Sequence, residues 1–162
     1  MQPSAGNQTR VVHGERIGAQ GKLRLGVSAI LLHESGANVL LTQRSDNGQW
    51  CLPGGMLDPG ESISETCERE MLEETGLVVR VKRLVGVYSN ADLLTVYPDG
   101  NRSQVVVLCF EVERLDGQVA LSDETTAIRF FPVEEAVGMD LFHGHAGHLR
   151  DALAGQPLPF MR

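Results

Sequence analysis

Residues 55–77 read GMLDPGESISETCEREMLEETGL, a stretch in which turn-forming residues give way to helix formers. Ser62 and Glu65 have the spacing of a capping box, in which each side chain binds the backbone N–H of the other residue. From there to Thr75 the chain contains no Pro or Gly, and Gly76 can adopt the left-handed conformation that ends many helices. The sequence therefore predicts a helix that begins after Ser62 and stops at Gly76.

Three carboxylates share one face of this predicted helix. Glu70, Glu73 and Glu74 have i, i+3, i+4 spacing and fall within an arc of roughly 100°. The arc overlaps the apolar line through Ile63 and Cys67, by which the helix must dock on the rest of the protein. A solvated acidic face is the common interpretation of such a segment judged on charge alone. The position of the apolar line instead favours acids that line a cleft and need a cation, because unpaired carboxylates are unfavourable when partly buried.

The loop before the helix fits this interpretation. Gly54 and Gly55 follow Pro53, and glycines let backbone atoms approach a metal or a phosphate where side chains would block access. Hard carboxylate oxygens suit Mg²⁺ or Mn²⁺, which bind through a few carboxylates and substrate phosphates.

The same stretch resembles the Nudix box at every defining position. Gly55 is followed by five residues and Glu61, then by seven residues and the run REMLEETGL at 69–77. A weaker likeness extends over residues 25–132. The resemblance implies an α/β fold, an α/β/α sandwich with a mixed, curved β-sheet. It also implies a Mg²⁺- or Mn²⁺-dependent hydrolase that cuts a phosphoanhydride bond in a nucleoside diphosphate linked to another group, such as a nucleoside triphosphate or ADP-ribose.

Roles for individual residues follow from the resemblance. It implies that Glu70, Glu73 and Glu74 bind metal together with the carbonyl of Gly55. Arg69 would pair with and orient a glutamate.

The general base is left open between two groups of acids. Glu73 or Glu74 is one candidate, and Glu124 in the segment LSDET is the other, since related proteins often place a loop carboxylate there. An ordinary turn residue is an equally good interpretation of Glu124.

Three residues are candidates for the substrate side of the site. The resemblance implies that Glu61 supports the outer shell of the metal site. Arg44 could bind a phosphate, although a scaffold role beside the acidic helix is slightly favoured. Trp50 could stack on a base, whereas an aromatic beside a strand is more often part of the core.

Three histidines, His143, His145 and His148, match no specified metal motif and have no acidic partners in sequence. They favour a polar helix start rather than a zinc site.

The resemblance does not assign one substrate. Asp92 stands where one class of ADP-ribose hydrolases has a proline, and neither Tyr88 nor Tyr97 matches the tyrosine of dinucleoside polyphosphate hydrolases. A non-catalytic nucleotide-sensing domain is the alternative function, but such a domain would be expected to lose carboxylates that this box keeps. A metal-dependent isomerase would need histidine ligands near Cys51 that the sequence does not offer.

Composition limits the partners. A net charge of −7 disfavours binding to nucleic acid, and no apolar run approaches the ~20 residues needed to cross a bilayer. An odd set of three cysteines and the lack of a secretory signal favour a reducing cytoplasm. We expect a small-molecule nucleotide as substrate, and the resemblance also allows a homodimer.

Patterning along the chain predicts an N-terminal arm at 1–23 and one hydrolase domain at 24–162. Apolar runs at 24–33 and 38–44 predict a β-hairpin, and the many turn residues of 46–60 predict an irregular loop. Further segments are predicted to be regular: strands at 77–88, 103–113 and 127–132, and short helices at 134–137 and 144–154.

Overall fold

The computed structural model describes residues 8–162. Within them, ten strands form two sheets that are covered by three α-helices. The strands are β1 (Arg10–His13), β2 (Lys22–Leu31), β3 (Asn38–Arg44), β4 (Trp50–Cys51), β5 (Gly54–Met56), β6 (Leu77–Tyr88), β7 (Leu93–Val96), β8 (Arg102–Gly117), β9 (Thr125–Pro132) and β10 (Phe160–Met161). The helices are α1 (Ile63–Thr75), α2 (Val133–Ala136) and α3 (His145–Leu153), with 3₁₀ turns at Ile17–Gln20 and Phe142–Gly144.

The larger sheet is mixed and is centred on β8. β2 runs parallel to β8, whereas β6 and β7 both pair antiparallel with its other edge. β5 extends the sheet beyond β2, β1 extends it beyond β7, and β10 pairs parallel with β6. Three register shifts interrupt the pairing of β6 with β8, and such bulges bend and twist a strand. The expected mixed α/β sheet is confirmed.

The predicted hairpin is wrong. β2 and β3 are joined by a tight turn closed at Leu32 and Val39, but beyond it they enter different sheets. β3 pairs antiparallel with β4 and β9 in a three-stranded sheet. Both strands are buried by partners that are distant in sequence, which the local apolar runs do not identify.

The loop prediction for residues 46–60 is correct only in part. Two short strands, β4 and β5, lie within it, and each of them adds to a different sheet. β1, β7 and β10 were not predicted either, because strands of two to four residues carry little periodic signal.

Alternation along β2 divides the interior into two cores. Val27, Ala29 and Leu31 face the core beneath α1, which also holds Cys67 and Met71. Ile30 faces the opposite core, formed with α2 and α3. The sheet is therefore buried on both faces, as a sandwich requires.

Residues 1–7 of the predicted arm lie outside the described residues. Farther along it, β1 pairs with β7, and the 3₁₀ turn at Ile17–Gln20 leads into β2 at Lys22. The division at residues 23 and 24 stays a prediction. No helix in the described part of the chain is both long and apolar enough to cross a membrane.

Candidate active site

The acidic helix α1 begins and ends as its sequence predicts. Ser62 Oγ accepts from the N–H of Glu65 at 3.3 Å, while Glu65 Oε2 accepts from the N–H of Ser62 at 2.7 Å. Gly76 ends the helix with a φ of 73°. Cys67 and Met71 are fully buried against the sheet. This docking fixes the rotation of α1 and turns the face that carries the glutamates toward a cleft.

The cleft has a volume of about 390 Å³ and lies between α1, the sheet and the segment that precedes α3. Most of the residues predicted for the site line it. These are Arg44, Gly55, Arg69, Glu70, Glu73, Glu74 and Glu124. Trp50 and Glu61 are not part of the lining. The structure thus brings together, from three separate parts of the chain, all but two of the predicted residues.

Arg69 organises the carboxylates at one end of the cleft. Its Nε donates to Glu61 Oε1 at 2.6 Å, and Nη2 donates to Glu61 Oε2 at 3.0 Å. Its Nη1 donates to Glu70 at 2.9 Å and to Glu73 at 3.1 Å. Because of the hydrogen bonds from Arg69, the pKa of Glu61 falls to about 2. Glu61 therefore anchors Arg69 from outside the cleft.

The loop glycines lie directly against the glutamates. The N–H of Gly54 donates to Glu74 Oε2 at 3.0 Å. A Cβ atom on Gly55 would overlap the carboxylate of Glu70, so only glycine fits there while Glu70 keeps its place. Burial, followed by the nearby charges of Glu70 and Glu124, raises the pKa of Glu74 to about 8. Burial likewise raises the pKa of Glu70.

This set of donors fits a hard divalent cation. Carboxylates from adjacent turns of α1 meet a backbone segment that carries no side chain, and burial is the main cause of the raised pKa values of Glu70 and Glu74. Among residues 8–162, no three His, Cys, Asp or Glu side chains converge on a single point. Instead, the guanidinium of Arg69 provides the positive charge beside Glu70 and Glu73.

Glu124 reaches the cleft from the loop before β9. Its carbonyl accepts from the N–H of Ser45 at 3.0 Å, and its own N–H donates to Ser122 Oγ at 3.3 Å. These bonds hold the loop beside the end of β3. The carboxylate of Glu124 is close enough to affect the pKa values of Glu70 and Glu74.

Arg44 and Trp50 are both engaged with the protein itself. Arg44 donates to both carboxylate oxygens of Asp46, at 2.9 and 2.6 Å, and its guanidinium lies 4.3 Å from the centre of the Phe142 ring. Trp50 packs edge-on against Phe131, with ring centres 4.8 Å apart. The geometry favours the core interpretation for Trp50. Arg44 is held as a scaffold residue, but by Asp46 rather than by the acidic helix that was expected.

Other residues that line the cleft were not assigned to the site from sequence. Thr95 and Tyr97 come from β7 and the turn after it, and Phe142 and His143 come from the segment before α3. His143 has a φ of 56°, unusual for a residue other than glycine, and its Nε2 lies 2.7 Å from Thr95 Oγ1. No local pattern marks these residues, since β7 and residues 142–143 meet only in the folded chain.

The histidines of α3 are not arranged as a polar helix start. The helix does begin at His145, but both His145 and His148 are buried. Nδ1 of His145 accepts from the N–H of Leu52 at 3.0 Å, and His148 stacks on Tyr88 with ring centres 3.7 Å apart.

A family model described as the NUDIX domain matches residues 22–153. A MutT-like protein of Streptomyces ambofaciens is 34% identical over 131 residues, which are 81% of this chain and 77% of that protein. An ADP-ribose pyrophosphatase of Methanocaldococcus jannaschii is 35% identical over 101 residues, 60% of this chain and 56% of that protein. The chain thus spans just over half the length of the latter relative.

The fold is similar to that of solved structures. The crystal structure of an ADP-ribose pyrophosphatase from Streptococcus suis aligns with a TM-score of 0.65 at 25% identity, covering 86% of this chain and 97% of that one. The span matched by the family model contains α1, the loop before it, the Glu124 loop and α3.

Proposed function

The chain belongs to the Nudix hydrolase family, and from that premise we propose that it is a divalent-metal-dependent pyrophosphohydrolase. Its substrate would be a nucleoside diphosphate linked to another group. One observation carries the proposal: Glu70, Glu73 and Glu74 lie with Gly55 and Arg69 at one end of a cleft of about 390 Å³. Such a cleft is large enough for a small molecule.

The acids and the loop would hold the metal. Carboxylate oxygens of Glu70, Glu73 and Glu74 are its proposed ligands, with the carbonyl of Gly55. When bound, Mg²⁺ or Mn²⁺ would screen the phosphate charge and lower the pKa of a coordinated water. Arg69 donates to both Glu70 and Glu73 and so holds the two carboxylates close to each other.

The proton of the attacking water needs an acceptor. A carboxylate oxygen of Glu124 is the favoured one, because this residue lines the same cleft, comes from outside α1 and lies close enough to act on the pKa values of Glu70 and Glu74. Glu73 and Glu74 remain the alternative. Glu74 already accepts from Gly54 through Oε2 and is itself a proposed metal ligand.

The remainder of the substrate would bind against the part of the cleft lining that lies outside the acidic box. Tyr97 and Phe142 offer aromatic surface there, and Thr95 and His143 offer polar atoms. A nucleoside has a flat apolar ring with polar edges, which matches this combination. ADP-ribose and nucleoside triphosphates are therefore the first substrates to test.

The deciding experiment is product identification after incubation with Mg²⁺ or Mn²⁺ and a panel of nucleotides. The panel contains nucleoside triphosphates, ADP-ribose, nucleotide sugars and dinucleoside polyphosphates, with Glu73→Gln protein as the matched control. Release of a nucleoside monophosphate by the wild type alone supports the proposal and names the substrate class. Binding of a nucleotide without turnover would favour the nucleotide-sensing alternative.

A further inference from the structure

Outside the acidic box, one buried side chain is bonded to the loop that leads into it. His145 is the first residue of α3 and is only 8% exposed. Its Nδ1 accepts a hydrogen bond from the N–H of Leu52 at 3.0 Å, although the two residues are 93 positions apart. We propose that His145 is a positioning residue that holds the metal-binding loop in place. The inference rests on the proposed function, in which Gly55 of that loop is a metal ligand.

The bond lies at the start of a short chain of contacts that ends at the glutamates. Leu52 precedes Pro53, whose carbonyl accepts from the N–H of Ala29 at 2.8 Å. The N–H of Gly54 then donates to Glu74 at 3.0 Å. The loop is thus fixed at three successive points, and His145 supplies the first.

A histidine is well suited to this place. A backbone N–H can only donate, so Nδ1 must be unprotonated and any ring proton must lie on Nε2. Burial lowers the pKa of His145 well below its usual value, which is consistent with a neutral ring. Two consecutive residues with positive φ, His143 at 56° and Gly144 at 70°, turn the chain so that α3 begins beside Leu52.

The proposal predicts different effects for three substitutions. In His145→Asn the carboxamide oxygen sits close to where Nδ1 was and can still accept from Leu52. His145→Leu keeps the volume but removes the acceptor. His148→Leu is the matched control, because His148 is buried one turn later in α3 and its Nδ1 has no hydrogen-bond partner.

The readout is Mn²⁺ affinity of each full-length protein without substrate, measured by electron paramagnetic resonance, together with hydrogen exchange at the Leu52 amide. His145→Leu should weaken Mn²⁺ binding at least ~10-fold, the usual effect of losing a support behind a metal ligand. The Leu52 amide should exchange faster in the same variant. His145→Asn and His148→Leu should both keep the wild-type affinity.

Two results would overturn the proposal: wild-type Mn²⁺ affinity in His145→Leu, or an equal loss in His148→Leu. If His145→Leu does not fold, His145→Gln takes its place, because the longer side chain of Gln carries the oxygen away from the Nδ1 position. The Gln variant must then bind Mn²⁺ more weakly than the Asn variant. A wild-type protein that binds Mn²⁺ but turns over no nucleotide would contradict the proposed function alone. A wild-type protein that binds no Mn²⁺ would contradict both.

Discussion

The carboxylate of Glu70 fills the space that a side chain on residue 55 would occupy. Gly55→Ala should therefore push this carboxylate aside. The backbone need not move, because the carboxylate is the tip of a flexible side chain. We expect a melting temperature close to that of the wild type and a loss of Mn²⁺ affinity of about tenfold or more. Calorimetry and Mn²⁺ titration of the same sample would test both parts.

The neighbouring glycine provides the contrast. A Cβ on Gly54 would overlap the carbonyl oxygen of Val27 and lie 2.8 Å from the Cα of Ser28, both of which are backbone atoms of β2. Gly54→Ala should lower the melting temperature strongly. Equal melting temperatures for the two alanine variants would contradict this distinction.

Glu73 tests the metal site itself. Its side chain is 59% exposed, and Arg69 Nη1 donates to it. Glu73→Gln should leave the fold intact and lower turnover at least ~100-fold, since metal and base contributions commonly reach that size. Steady-state kinetics would measure the turnover, with a substitution at exposed Glu134 of α2, Glu134→Gln, as the control. Near-normal activity of Glu73→Gln would remove this residue from the mechanism.

The roles of Glu124 and Glu74 can be distinguished by measuring kcat and Mn²⁺ affinity for a variant at each position. If Glu124 is the base, Glu124→Gln should lower kcat by ~100-fold or more while Mn²⁺ affinity stays unchanged. Glu74→Gln should weaken Mn²⁺ binding. The reverse outcome, in which Glu124→Gln turns over normally and Glu74→Gln binds Mn²⁺ normally but does not turn over, would assign the base to Glu74.

His143 should affect substrate binding rather than the chemical step. His143→Asn introduces a residue that tolerates the left-handed backbone but removes the imidazole ring from the cleft lining. We expect KM to rise about three- to tenfold, as for the loss of one hydrogen bond of ~1 kcal/mol, with Mn²⁺ affinity unchanged. A changed Mn²⁺ affinity would show that His143 acts on the proposed metal site instead.

The ion pair between Arg162 and Asp151 predicts a pH-dependent stability. Arg162 donates to both carboxylate oxygens of Asp151, at 2.8 and 2.9 Å. These two bonds lower the pKa of Asp151, and a hydrogen bond from Tyr88 has a smaller effect in the same direction. A folded pKa below the unfolded value of about 3.9 means that the stabilisation is complete above that pH and is lost as the pH falls through the folded pKa.

Arg162→Ala should accordingly lower the melting temperature at pH 7, and the difference from the wild type should shrink below about pH 4. Thermal unfolding followed by circular dichroism across this range would measure the effect. The same substitution in an Asp151→Asn background should show no such pH dependence. A difference that stays constant with pH would rule out the ion pair as its cause.

Local sequence predicted helix α1 better than it predicted the pairing of the strands around it. The limits of α1 follow from Ser62, Glu65 and Gly76, which act within a few residues of one another. The separation of β2 from β3 depends on pairing with β8 and β9, more than 70 residues away in sequence. Pairing at that distance leaves no local pattern.

Within the site the same distinction holds. Glu70, Glu73 and Glu74 belong to one helix, so their i, i+3, i+4 spacing alone places them on one face. His145 has no neighbour in sequence that reveals its bond to Leu52. Glu124 was identified only through its position before β9 in related proteins.

The acidic lining of the cleft comes mainly from residues 55–74, whereas its aromatic and histidine lining comes from residues 95–97 and 142–145. Under the proposed function, the metal ligands and the nucleoside contacts would therefore come from separate stretches of sequence. A library that varies only Thr95, Tyr97 and His143 would sample new substrates while every proposed metal ligand stays as it is. The scaffold is in this sense modular, and it offers a starting point for engineering nucleotide selectivity.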